Sequence, residues 1–133
     1  MIVIFGGSHQ GKTDFAKKLF GLGDEDIYEC SGTEADFSYR CINHLEKLVL
    51  SRLEADLPVF DWFDEHMDEF RDKVIICDDI CCGVVPIEKL MRLYRDNVGK
   101  QMQIFCREAD EVYRVYAGLG EKLKGSGEVN LER

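Results

Sequence analysis

The eight residues Gly6-Gly7-Ser8-His9-Gln10-Gly11-Lys12-Thr13 fit the pattern G-x-x-x-x-G-K-[ST]. Its chemistry requires a buried strand before it and a helix starting within it, so the pattern constrains the fold. Both flanks are present. Ile2 to Phe5 is an apolar, β-branched run of the kind buried on both faces of a parallel sheet. Beyond the loop, Phe15, Ala16, Leu19 and Phe20 recur at helical spacing, and Gly21-Leu22-Gly23 supplies a stop. In such a loop, backbone N–H groups of Gly6, Gly7, Ser8, His9, Gln10 and Gly11 curl around phosphate oxygens while the helix start adds its positive dipole end. Lys12 would neutralise the β and γ phosphates and Thr13 would ligate magnesium through its hydroxyl. The expected ligand is therefore ATP or GTP with Mg2+.

The acid on the magnesium side should stand at the end of a neighbouring buried strand. Val74-Ile75-Ile76-Cys77 ends in Asp78-Asp79, with Asp79 the first choice and Asp78 the second. The alternative is that both aspartates cap the following turn. His9 lies inside the loop, whereas His44 and His66 fall on helical patterns where surface positions are ordinary.

The remaining elements alternate. Asp26 to Cys30 is a weak strand candidate, and Ser31-Gly32-Thr33 reads as a turn. From Ile42, the positions Leu45, Leu48, Val49 and Leu53 predict a helix. A second helix follows beyond Pro58, with Phe60, Phe63, Met67 and Phe70 as a core stripe. Its acidic face, Asp61, Asp64, Glu65, Asp68 and Glu69, should meet solvent. The acidic pair is followed by a turn around Gly83, and Pro86 then suits the first turn of a helix carrying Ile87, Leu90, Tyr94, Val98, Met102 and Phe105 to near Ala109. Val112 to Tyr116 is expected as the last strand, closed by Gly118-Leu119-Gly120. The order predicts an α/β fold: a P-loop NTPase-like single domain over residues 1–124, its mostly parallel sheet flanked by helices, with a polar tail over 125–133.

Composition removes other classes. A chain of 133 residues, 45% of them hydrophobic, holds one core. A net charge of -9, from 26 acidic against 17 basic residues, would repel a nucleic-acid backbone. No apolar run approaches the ~20 residues that cross a bilayer, and Met1 leads straight into a β-like run, so a cytoplasmic protein without membrane contact is expected. The six cysteines (Cys30, Cys41, Cys77, Cys81, Cys82 and Cys106) lie in apolar runs without a C-x-x-C pair, and are read as reduced thiols rather than zinc ligands.

Together these segments resemble the adenosylcobinamide kinase / adenosylcobinamide-phosphate guanylyltransferase family of cobalamin biosynthesis. The likeness is carried by the N-terminal loop, by Val74 to Pro86 (VIICDDICCGVVP), by Arg95-Asp96, Gly99 and Gln103, and by Ala109 to Val112 with Gly118-Leu119-Gly120. Asp79 stands where the family has Glu and Met102 where it has Asn. The resemblance implies a P-loop fold, phosphoryl transfer to a cobinamide-type alcohol with Lys12 and Asp79 as catalytic residues, GMP transfer through a guanylylated histidine, and a trimer. Arg40 and His44 have roughly the spacing of the family's Arg and nucleophilic His, but helical Leu45-Glu46-Lys47-Leu48 follows. The middle of the chain is shorter than the family's and lacks its His- and Arg-rich segment, residues 31–73 following the pattern least. A nucleotide-binding or regulatory relative without turnover is therefore the alternative to a kinase. A regulatory GTPase ranks below both, because the guanine-reading N-K-x-D motif is absent.

Overall fold

The computed structural model describes residues 1–80 and 88–125. The expected turn around Gly83, Cys81 and Cys82, the expected helix start at Pro86 and Ile87, and nearly all of the polar tail lie outside the described residues.

The chain forms one six-stranded sheet in the order β2-β3-β4-β1-β5-β6. β1 (Ile2–Gly6) is central, flanked in parallel by β4 (Val74–Asp78) and β5 (Glu111–Tyr116). Beyond β4 lie β3 (Cys41–Asn43) and β2 (Ile27–Glu29), also parallel, while β6 (Leu119–Lys124) closes the other edge antiparallel to β5. The expected α/β class and mostly parallel sheet are therefore present.

Period-two alternation sorts the strand side chains into two cores. Val3, Ile42, Ile75 and Val112 face α2 (Leu45–Glu54), α3 (Phe60–Glu65), α4 (Met67–Phe70) and α5 (Lys89–Glu108). Ile4, Cys41, Ile76, Tyr113 and Val115 face the other way, where Ala16 of α1 (Lys12–Phe20) packs with Leu22. Gly21 ends α1 in the left-handed conformation, its N–H donating to the Lys17 carbonyl.

The aromatic stripe is core at Phe63, Met67 and Phe70, whereas Phe60, expected in it, is exposed. Phe63 and Phe70 are fully buried and close on Phe105, with ring centroids 5.5 Å and 5.1 Å away. Trp62, which the stripe did not include, is buried between them and the guanidinium of Arg52, and the five acids on the opposite face are exposed. On α5 the buried line is Tyr94, Asn97, Val98, Gln101 and Phe105, while Leu90 points outward.

Three elements depart from the sequence reading: the single helix expected beyond Pro58 is two, α3 and α4, divided at His66. Ile42, expected to open a helix, lies in the middle of the three-residue strand β3, and the helix begins at Leu45. β5 is not the last strand: Ala117 and Gly118, at φ 51° and 78°, form a tight turn of the twist that hairpins favour, and the chain returns as β6. Among the described residues, no helix is long and apolar enough to cross a membrane. Cys30, Cys41 and Cys77 are buried free thiols and Cys106 is half-buried and free. Burial pushes the Cys30 and Cys41 thiols up to about 12, which keeps both protonated at neutral pH.

Candidate functional site

The site grows out of the point where β1 ends. Gly6 is paired across the sheet with Asp78 of β4 and packs against Val115 of β5, so the chain leaves the C-terminal edge of the sheet between two neighbours. A Cβ on Gly6 would stand 2.3 Å from the Val115 carbonyl oxygen, so only glycine fits that exit. The loop then turns back through His9 and Gly11, both with positive φ, and α1 starts at Lys12. Gly11 occupies the left-handed region at φ 88°, which aims the free N–H groups of the first helical turn toward the loop.

Lys12 is almost wholly buried. Its ammonium donates to the Gly7 carbonyl and pairs with Asp78 Oδ1, each at 2.7 Å, so it is held inside the curve of the loop. The loop tip is anchored from the far side of the sheet. Gln10 accepts hydrogen bonds from the N–H of Gly118 on its carbonyl (2.8 Å) and from the N–H of Ala117 on its side-chain oxygen (2.6 Å). The β5–β6 hairpin thereby fixes the curvature of the Gly6 to Thr13 loop.

One cavity of about 290 Å³ collects Ser8 through Asp14 together with Asn43, His44 and Asp78. Most of the residues expected from the sequence therefore meet, and Asp78 rather than Asp79 lines this cavity and pairs with Lys12. Asp79 donates its backbone N–H to the Gly6 carbonyl at 2.7 Å and lines a second cavity, again about 290 Å³. That cavity is mostly apolar, walled by Phe5, Ile80, Val98 and Met102, and Asp78 borders both spaces.

Three residues of the site escaped the sequence reading. Asn43, at the end of β3, donates to Thr13 Oγ1 (3.3 Å) and to Glu29 Oε2 (2.9 Å), and it accepts the His44 N–H at 2.8 Å. It thus holds the Thr13 hydroxyl in place. Glu29, at the end of β2, meets His44 Nδ1 at 2.7 Å through its other oxygen. Glu46, 3% exposed in the first turn of α2, accepts the Asp78 N–H at 2.9 Å. Burial raises its carboxyl above the usual range, and the neighbouring Asp78 charge adds to the effect.

The histidines separate accordingly. His44, expected at an ordinary helical surface position, sits in the left-handed conformation just before α2 and borders the cavity that Lys12 and Thr13 line. His9 is exposed on the loop beside it. His66 is a packing residue, its ring 4.3 Å from Trp62 and its Nδ1 on the Trp62 carbonyl at 2.7 Å.

Thr13 Oγ1 and the Asp78 carboxylate are hard oxygen donors in one cavity, the donor type that Mg2+ takes alongside phosphate oxygens. The residues present fit that ion.

Residues 41–123, more than half of the chain, match the family described as cobinamide kinase / cobinamide phosphate guanyltransferase. The chain is also similar to the bifunctional adenosylcobalamin biosynthesis protein CobU of Salmonella typhimurium, 37% identical over 51 residues, which are 38% of this chain and 28% of that protein. The protein of the same name from Escherichia coli is 35% identical over 51 residues, again 38% of this chain and 28% of that protein. The matched stretch therefore spans less than a third of either relative. The family match includes much of the stretch 31–73 that follows the pattern least, and it carries Asn43, His44, Glu46, Asp78 and Asp79. The loop Gly6 to Thr13 precedes it and stands on its own pattern and geometry.

Proposed function

The chain belongs to the cobinamide kinase / cobinamide phosphate guanyltransferase family, and from that premise we propose that it binds ATP or GTP on Gly6 to Thr13 and transfers a phosphoryl group to a cobinamide-type alcohol. The observation that carries this reading is the placement of Lys12, buried and held between the Gly7 carbonyl and Asp78 at the start of α1. That is where a lysine must wait to move onto an incoming triphosphate.

Phosphoryl transfer asks for positioning and charge compensation more than covalent help. The loop N–H groups and the α1 dipole hold the phosphates, and Lys12 exchanges Asp78 for phosphate oxygens. Asn43 orients the Thr13 hydroxyl toward the same cavity. Mg2+ held by Thr13 and Asp78 would supply further charge compensation. Asp79, which lines the apolar cavity beside Asp78, would meet the acceptor hydroxyl there. A cavity of about 290 Å³ takes the alcohol-bearing arm of a corrinoid and leaves its ring outside.

A specific feature favours a second reading, binding without turnover. Between β2 and β3 the described chain makes only turns and extended loop, with no helix to carry a substrate-holding segment. Incubation with labelled ATP or GTP and adenosylcobinamide separates the two. The kinase reading predicts a phosphorylated cobinamide with multiple turnovers, lost in Asp78→Ala. Nucleotide binding with no product from either triphosphate would leave only the binding reading.

A further inference from the structure

We propose that His44, Glu46 and Asp78 form a site for a first-row transition dication such as Mn2+, beside the phosphate cavity and sharing Asp78 with the Mg2+ that nucleotide would carry in on Thr13. One ligand atom from each of the three lies within 4.8 Å of the others. Metal bonds of about 2.1 Å place opposite ligands about 4.2 Å apart, so small side-chain rotations close the set.

The surroundings favour coordination over chance proximity. Glu29 engages His44 Nδ1, and Asn43 in turn holds Glu29, so the ring is oriented by a carboxylate that is itself anchored. A carboxylate on one ring nitrogen fixes the tautomer and leaves the lone pair on the other, the usual arrangement behind a metal-bound histidine. Asp78 uses Oδ1 for Lys12, leaving its second oxygen available. Glu46 is 3% exposed, stands beside Asp78, and pairs with no Lys or Arg among the described residues. Two carboxylates this close, one of them buried, are stabilised by a dication between them.

The mixed donor set selects the class. Carboxylates suit Mg2+ and Mn2+ alike, whereas an imidazole nitrogen favours transition ions, whose affinity rises from Mn2+ through Co2+. Since Asp78 borders both cavities, the ion would put positive charge where the proposed phosphate and acceptor spaces meet. That role rests on the proposed function, but binding of the metal does not, so the two are tested separately.

The test uses the full chain with Mn2+ alone, counting free ion by electron paramagnetic resonance and reading nitrogen ligation from pulsed 14N coupling. The expected result is bound Mn2+ with an imidazole 14N signal, competed only weakly by Mg2+. His44→Ala should remove that signal and weaken binding about tenfold or more, and Glu29→Gln should weaken it about tenfold with the signal retained. Glu46→Gln should weaken binding while raising the unfolding temperature, because a buried charge is removed and the hydrogen bond from Asp78 is kept; loss of metal there is not loss of fold. His66→Ala should leave Mn2+ binding and the 14N signal unchanged. Mn2+ that binds without 14N coupling, equal affinity in wild type and His44→Ala, or no binding at millimolar Mn2+ would each overturn the proposal.

Discussion

Lys12→Ala is expected to weaken ATP and GTP binding by roughly 30-fold to several thousandfold, the equivalent of about 2–5 kcal/mol for removing one partner of a desolvated charge pair. The magnitude follows from burial. Lys12 is 6% exposed, and its ammonium is held between the Gly7 carbonyl of the loop and Asp78 at the end of β4. The substitution also leaves Asp78 beside Glu46 without its cation, and a moderate fall in unfolding temperature should accompany it. Calorimetric titration with slowly hydrolysed triphosphate analogues measures the first effect, and thermal unfolding measures the second. Binding within threefold of wild type would remove the loop lysine from the account.

The largest stability effect is expected at Gly6→Ala. The new methyl would lie 2.3 Å from a backbone oxygen of Val115, and a backbone atom cannot rotate aside as a side chain would. β1 is the central strand, paired with β4 and β5 in parallel, so relief requires separating strands at the middle of the sheet. Overpacking in a core costs about 1–3 kcal/mol and more when the obstacle is rigid; a loss of about 3 kcal/mol, or roughly 10 °C in unfolding temperature, is expected. Gly7→Ala is the contrast, since its nearest neighbour would be the flexible Gln10 side chain at 3.5 Å. Chemical denaturation of both variants checks the difference. Equal stabilities would mean that the close approach at Gly6 is not structural.

The parts legible in the sequence were those whose signal is local. The Gly6 to Thr13 loop declares itself through glycine spacing and its two flanks, β1 and β4 through unbroken apolar runs, and β5 through its β-branched and aromatic residues even though Arg114 and Tyr116 are exposed. β3 was hidden because it is only Cys41-Ile42-Asn43, and Ile42 falls in helical phase with Leu45 and Val49. Its loss from the reading concealed half of the site. With Ile42 in a helix, Asn43 and His44 become surface positions and Glu46 an ordinary solvent charge; with Ile42 in a strand, they stand at the functional edge of the sheet. The available signal was a polar residue ending an apolar run, the same cue that marked Asp78. β6 was missed for a different reason. Leu119-Gly120-Glu121-Lys122-Leu123-Lys124 is a polar edge strand, and charged residues suppress the strand pattern while protecting the edge from pairing with other chains. The choice between Asp78 and Asp79 could not be read at all, since both line the apolar cavity, only Asp78 also reaches the cavity of Lys12, and it is the register with Gly6 that decides this.

The central claim, that nucleotide phosphates lie in the curve of Gly6 to Thr13, is tested most directly by amide 15N spectra recorded during addition of Mg2+ with ATP or GTP. The account predicts large shifts at Gly7 through Thr13. Smaller ones should follow at Asn43, His44 and Asp78 around the cavity, and at Ala117 and Gly118, which reach the loop through Gln10. Saturable binding that leaves Gly7 to Thr13 unshifted, or no response to either nucleotide, would contradict it.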